Sequence, residues 1–559
     1  MNPTADPQPA AHSIQPVKQR GRRYRWIACV LLLVVAFKLA STGLTWGLPA
    51  VVAWAPDTVA GSRTLFTYDK WPDAWVSHYP PLHFLLNRLI YRPWLDRWQT
   101  TGQMRWDDAT GEPVFAPPVE DKYGALILAS RCLTVLMSLA TVCLVVLLTR
   151  RLFDGNDLAG LLAGLTLATC PEWVYFSHLG NLDVPQIFWL ALSLVSYVAA
   201  LQHDTLRHHV LLGVATALAV STKDGVAGVY VGVVLVLMAA RYARRRRAGA
   251  SVGRSLAALV SSPMLLGLVG FAIPYALIQG LWINPTGYID RMRYWLGGPG
   301  ISNFNRDYQG QFWLAREALA EAARGLGWPM LGVMAVATVY TLRRDPRTSA
   351  IVIVPAVSYY LVVPAAIGMV YARMLFPVFL CLAVLVGKTL ADWLTWQRIP
   401  LALRGASVLA LFALSGGYCW AVDREMLDDT RARAESWLIQ NTTPDRPLGV
   451  FAPPQYLPRF SPTTLQAVLL EMAPATFARN CPSFLVLSSH NYQDFDAKAR
   501  HCLERLLAGE FGYQVVARFQ KRFLPPQRHW WSLAGWATRG AGKVSPFITI
   551  LKRNEPPPP

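Results

Sequence analysis

Charge is what this chain has least of. Asp, Glu, Lys and Arg make up 16% of its 559 residues, against about 25% in an ordinary soluble domain. That deficit, concentrated in long apolar stretches, excludes a soluble globular protein. Acidic residues are the scarcer sign, 34 against 53 basic, which leaves a net charge of +19. Such a balance can indicate a nucleic-acid partner, but here the basic residues are not spread over a binding face. They sit in short runs between apolar stretches: Arg20-Gly21-Arg22-Arg23, Arg150-Arg151, Arg244 to Arg247, and Arg343-Arg344. Those runs read as cytoplasmic anchors under the positive-inside rule, and no nucleic-acid partner is expected. The first apolar run also lacks a cleavage site and exceeds a signal-peptide core, so it is expected to be retained as a span.

Hydrophobic residues make up 53% of the chain, and its mean hydropathy is +0.28. Spans of about 20 apolar residues, read together with the basic loops, predict about eleven crossings with the N-terminus inside. Residues 1–25 form a polar, basic tail. Residues 26–421 form the membrane module, with external loops at 54–123 and 283–325, and residues 422–559 form a C-terminal domain outside the membrane. Val210 to Thr222 is short for a crossing, reaching only about 20 Å at ~1.5 Å per residue, so it predicts a sunken or tilted hairpin turning at Lys223-Asp224-Gly225. In the C-terminal region the apolar runs shorten into an α/β or α+β pattern. A helix is expected over Thr430 to Gln440, a buried strand over Ser483 to Ser488, and a final strand over Phe547 to Leu551.

The candidate chemistry lies in the loops on one side. Asp57 follows the first span, and Asp183 opens the fourth in His178-Leu179-Gly180-Asn181-Leu182-Asp183. A carboxylate at such a place can accept a proton from an attacking hydroxyl. It can equally cap a helix, and for Asp183 the two roles are compatible. Lys223 lies in the hairpin turn, where a lysine at membrane depth needs a partner; Asp224 next door is one candidate and a phosphate another. Arg373 stands at the mouth of a late span, where an arginine can grip a phosphate with two N–H groups or simply anchor at the interface. Arg131, inside the second span, and Arg291 and Arg293, in the second loop, are weaker candidates for the same task. No metal is expected. His78, His83, Asp57 and Asp183 are the side chains that could gather round a divalent ion, and no pair among them has a strong ligand spacing.

Asp57 followed by Ser77-His78-Tyr79-Pro80-Pro81-Leu82 resembles the first external loop of the GT-C class of membrane glycosyltransferases, which includes the protein O-mannosyltransferases and the lipid A aminoarabinose transferases. Tyr371-Ala372-Arg373-Met374-Leu375-Phe376-Pro377 is similar to a motif before a late span in that class, and Lys223 falls where related enzymes carry a Lys-Gly pair. Tyr79 departs from the lysine that precedes Pro-Pro-Leu in the aminoarabinose transferases. The resemblance implies a polytopic α-helical fold with about eleven spans and a periplasmic C-terminal domain, in the inner membrane of a cell. It implies inverting transfer of a sugar from a polyprenyl-phosphate carrier to a lipid, glycan or protein hydroxyl. Asp57 would be the general base with Asp183 beside it, and Lys223, Arg373, Tyr371, Arg131, Tyr79 and His78 would hold the donor phosphate. A transporter or flippase is the alternative, but it would need ionisable residues near the midplane. Of the eight cysteines, only Cys481 and Cys502 fall outside the spans. A bridge between them would close a loop of about 20 residues, worth roughly 3 kcal/mol.

Overall fold

The computed structural model describes residues 15–55, 58–61, 64–65, 79–109, 112–257, 262–296, 302, 308–443, 447–460, 465–477, 482–490, 495–523 and 544–554. The chain enters through a 27-residue helix, Gln15–Ser41. Its Ile27, Val30, Leu31, Val34 and Phe37 are exposed, a helical stripe that only a hydrocarbon surrounding would accept. Among the described residues six helices, all after this one, are long and apolar enough to cross a membrane by length and composition, and two bent helix pairs raise that number to eight.

The differences from eleven straight crossings have local causes. The Asp157–Ala168 helix breaks before Pro171–Ser177 with a 68° bend. Pro171 stands at the start of the second piece, where its missing N–H interrupts the hydrogen-bond ladder. A 115° bend separates Gln311–Leu326 from Trp328–Arg344. Its pivot is Gly327 at φ +92°, a backbone conformation open to glycine. Much of the second loop is therefore helical, in Pro285–Leu296 and Gln311–Leu326. Leu206–Val220 has 15 residues and Ser262–Ile278 has 17, so each reaches only about 22–26 Å at 1.5 Å per residue. These two short helices cross in backbone contact: a Cβ on Gly213 would lie 2.0 Å from the Gly267 carbonyl oxygen. Glycine at such a crossing lets two membrane helices approach closely enough to pack.

Before the second crossing, β1 (Met104–Trp106) and β2 (Pro113–Phe115) form a small antiparallel hairpin after the Leu82–Thr100 helix. The C-terminal domain is a five-stranded mixed sheet of β3 (Leu448–Val450), β4 (Ala467–Leu469), β5 (Phe484–Ser488), β6 (Tyr513–Phe519) and β7 (Ile548–Arg553), in the order β4-β3-β5-β7-β6. β3 runs parallel to β4 and β5, and β7 antiparallel to β5 and β6. Alternation along β5 explains the layers. Val486 packs in one cluster with Ala434 and Leu438 of the Thr430–Asn441 helix, while Leu485 and Leu487 pack in another with Leu503 and Leu506 of the Ala497–Leu507 helix. A strand apolar on both faces belongs inside such an α/β sandwich. Cys502 is buried in the second cluster; Cys481 lies outside the described residues.

The domain is fastened to the first loop by Arg431. Its guanidinium lies 4.5 Å from the Trp54 ring centroid and 5.1 Å from that of Trp46. It pairs with Asp429 at 2.8 Å, and Asp429 also accepts a 2.9 Å hydrogen bond from Trp46 Nε1. Arg459 adds a second tie, pairing with Glu435 at 2.9 Å and donating to the Leu48 carbonyl.

Candidate functional site

Asp183 sits in the first turn of the Asp183–His203 helix, where the unpaired N–H groups and the helix dipole favour an anion. Lys223 is extended between the Leu206–Val220 helix and the Asp224–Val226 turn. Its Nζ lies 2.5 Å from Asp183 Oδ1, and the other carboxylate oxygen accepts from Asn181 Nδ2 at 3.0 Å. Asp183 is nearly buried at 7% side-chain exposure, and Lys223 is a quarter exposed at 25%. Asp183 is thus at once a helix-start residue and half of an ion pair.

The sequence offered Asp224 as the partner of Lys223; the structure corrects that. Asp224 is taken by Arg291, whose Nη2 also donates to Gln279 Oε1 at 2.9 Å. The turn is also held at Ser221, whose carbonyl accepts from Leu82 N at 3.0 Å and whose Oγ accepts from Gln279 Nε2 at 3.4 Å. The Pro-Pro-Leu segment therefore does more than start a helix. It docks the first loop on the hairpin that carries Lys223.

The first loop meets the Asp183 segment a second time. Val59 N and Ala60 N donate to the Gly180 carbonyl at 2.8 and 3.2 Å. A Cβ on Gly180 would come within 2.7 Å of Ala60 Cβ and 2.8 Å of Ser130 Oγ, so this approach needs glycine. Asp57 and His78 lie outside the described residues, Asp57 two positions before Val59. Tyr79 packs against Val59, Phe84 and Leu182, one residue from Asp183.

Arg373 belongs to a short turn, Ala372–Leu375, capped by Tyr371. Its guanidinium lies 5.6 Å from the ring centroids of both Phe176 and Tyr371. Glu321 holds that turn, accepting from Ala372 N at 3.0 Å while pairing with Arg324. Arg131 is fully buried, and its Nη1 donates to the carbonyls of Leu44 and Trp46 at 2.7 and 2.8 Å, while among the described residues its Nε and Nη2 find no hydrogen-bond partner.

Asn181, Gln279 and Glu321 escaped sequence reading as site residues, because each acts across more than one element and leaves no local pattern; Arg291 was read only as a weaker phosphate candidate, not as the partner of Asp224. Asn181 alone left a trace, two residues before an acidic helix start. Among the described residues no three His, Cys, Asp or Glu side chains gather in a way that could hold a metal ion.

The fold and site define a multi-span helical membrane protein. A carboxylate–lysine pair and an arginine beside two aromatic rings stand at the end of its bundle that carries the α/β domain. Residues 123–272 match the family described as dolichyl-phosphate-mannose-protein mannosyltransferase, a stretch that includes Arg131, Asp183 and Lys223 but well under half the chain. No curated protein matches the sequence. Solved structures similar in overall shape include the Archaeoglobus fulgidus oligosaccharyltransferase in complex with zinc and sulfate, at 14% identity and a TM-score of 0.44, covering 82% of this chain and 68% of that one. ArnT from Cupriavidus metallidurans bound to undecaprenyl phosphate is similar at 15% identity and a TM-score of 0.44, covering 94% and 98%. The arabinofuranosyltransferase AftD from Mycobacteria follows at 14% identity and a TM-score of 0.42, covering 96% and 40%. No residue role follows from likenesses of this degree.

Proposed function

We propose that the chain is an inverting glycosyltransferase that moves a sugar from a polyprenyl-phosphate carrier to an acceptor hydroxyl at the outer face of the cytoplasmic membrane. The observation that carries this reading is the Asp183–Lys223 pair at 2.5 Å, standing beside the first-loop segment that follows Asp57. The family match over 123–272 supports it. Sidedness rests on the basic helix ends: Arg150-Arg151, Arg244 to Arg247 and Arg343-Arg344 close their helices at the end away from Lys223 and the C-terminal domain, and positive residues mark the cytoplasmic side.

In this reading the acceptor oxygen attacks the anomeric carbon as the bond from that carbon to the phosphate oxygen breaks. The bonding electrons go to the departing polyprenyl phosphate, and the hydroxyl proton goes to Asp57. Lys223 and Arg373 face the charge that develops on the phosphate, an arrangement that favours the transition state over the ground state. Asp183 keeps the ammonium in place. A lipid-linked donor suits this face, since nucleotide sugars are not supplied outside the cytoplasm.

The test is transfer of labelled sugar from polyprenyl-phosphate donors by the full chain in nanodiscs. Asp57→Asn is expected to cut the rate by about 10²–10⁴, the usual loss for a general base. Wild-type turnover in that variant removes Asp57 from the mechanism. Carrier binding and translocation with no transfer would instead favour a flippase.

A further inference from the structure

We infer that Arg291 is a positioning residue for Lys223, an inference that rests on the carrier-phosphate role proposed for that lysine. Arg291 stands in the Pro285–Leu296 helix, between Asp290 and Arg293, whose side chains are 63% and 75% exposed, yet its own exposure is 0%. Its donors are directed at the hairpin turn. One reaches Asp224 and another Gln279 Oε1 at 2.9 Å, and Gln279 Nε2 in turn reaches Ser221 Oγ at 3.4 Å. Ser221 and Asp224 flank Lys223, two residues before it and one after. One guanidinium therefore grips both sides of the residue that meets Asp183. The guanidinium also faces the Tyr288 ring at 5.6 Å, and the Tyr288 hydroxyl is tied to that of Tyr275 at 3.0 Å, which fixes the helix from behind.

The physical argument concerns what such a pair is good for. A buried ion pair adds little stability, because desolvation offsets its attraction; its better-attested use is to fix one arrangement over others. Lysine is a single charge on a flexible four-carbon stem, so its aim depends on the backbone beneath it. Arg291 is fully enclosed and already committed to Asp224 and Gln279, which distinguishes it from a residue waiting for a phosphate. It also makes the second loop a supporting element of the site, although its sequence there suggested only a spare cation.

A double-mutant cycle tests this, read as affinity of the full chain in nanodiscs for polyprenyl phosphate alone, with thermal stability recorded for every variant. Arg291→Gln and Asp224→Asn are each expected to weaken binding about tenfold, and together no more than either alone, since groups that act as one unit are not additive. In a Lys223→Ala background neither change should weaken binding further. Additive losses in that background, or a much larger loss from Arg291→Gln than from Asp224→Asn, would overturn the inference and make Arg291 a direct ligand. Asp224→Asn keeps the shape of the turn, so it carries the test if Arg291→Gln fails to fold. A wild-type chain that binds no polyprenyl phosphate would instead sink the transferase reading itself.

Discussion

Asp183 and Lys223 stand 40 residues apart in the chain, and their charged atoms meet at 2.5 Å. The two partners are not equally placed: the carboxylate is 7% exposed and the ammonium 25%. Removing Lys223 strands a nearly buried anion whose remaining side-chain hydrogen bond, among the described residues, comes from Asn181. Removing Asp183 leaves a flexible cation that can swing toward water. Lys223→Ala should therefore destabilise the protein more than Asp183→Ala, with losses of about 1–3 kcal/mol for a hydrogen bond to a charged group. Thermal unfolding of both variants in one detergent decides it, and the reverse order would mean that Asp183 is hydrated by a route the contacts do not reveal.

Arg373 makes a different kind of contact, its guanidinium 5.6 Å from the ring centroids of both Phe176 and Tyr371. Guanidinium stacks on aromatic faces and offers a planar fork to phosphate, whereas an ammonium does neither as well. Arg373→Lys should recover only part of the donor affinity that Arg373→Ala loses. Binding of polyprenyl phosphate by the three proteins is the measurement. Equal, near-native affinity in both variants would leave Arg373 as an interface anchor.

How much of this was legible follows from how local each signal is. The Phe484–Ser488 strand and the Thr430–Asn441 helix could be read from the sequence because their patterns are complete within a dozen residues. Asp183 and Lys223 were found for a related reason: charges at the ends of apolar runs are conspicuous. Their pairing was not legible, since it depends on how two helices lie side by side, and the nearer Asp224 was the obvious alternative. The bend at Gly327 falls in Gly325-Leu326-Gly327-Trp328-Pro329, where the sequence already ended the second loop; what was not read is that the stretch before it, Gln311–Leu326, is itself a helix. Arg131 was legible as a buried cation inside a span, but the two carbonyls its Nη1 holds, those of Leu44 and Trp46, belong to a distant stretch of chain and left no local pattern.

The Arg431 clamp predicts how firmly the C-terminal domain is held. Arg431 and Asp429 are both fully enclosed, with 0% side-chain exposure. Deleting one member of such a pair leaves a buried charge without compensation, at a cost of about 3–5 kcal/mol. Arg431→Ala should therefore lower the unfolding temperature and open the junction after residue 427 to protease. Trp54→Ala should do the same more mildly, because Asp429 and Arg431 still have each other. Native resistance to proteolysis in Arg431→Ala would show that the sheet docks without this clamp.

His83 gives a pH dependence with a definite sign. It is fully buried one turn before Asn87, whose Oδ1 accepts from Ser130 Oγ at 2.8 Å. Among the described residues neither ring nitrogen of His83 finds a hydrogen-bond partner. Burial holds its pKa down, from 6.5 to about 3, because a charged imidazolium would be stripped of water with nothing to replace it. The unfolded chain therefore takes up a proton at His83 that the folded chain refuses. Its contribution to stability is fully present above pH 6.5 and is lost as the pH falls from there toward about 3. At pH 5 the loss amounts to about 2 kcal/mol by proton linkage. His83→Leu removes the titrating group and two unsatisfied polar atoms, so it should unfold at a higher temperature than wild type at pH 5. The gap should narrow as the pH is raised to 7.5. Both proteins share every other titrating group, so the difference between their unfolding curves isolates this one side chain. Parallel curves across that range would mean that His83 is protonated or hydrated in the folded protein.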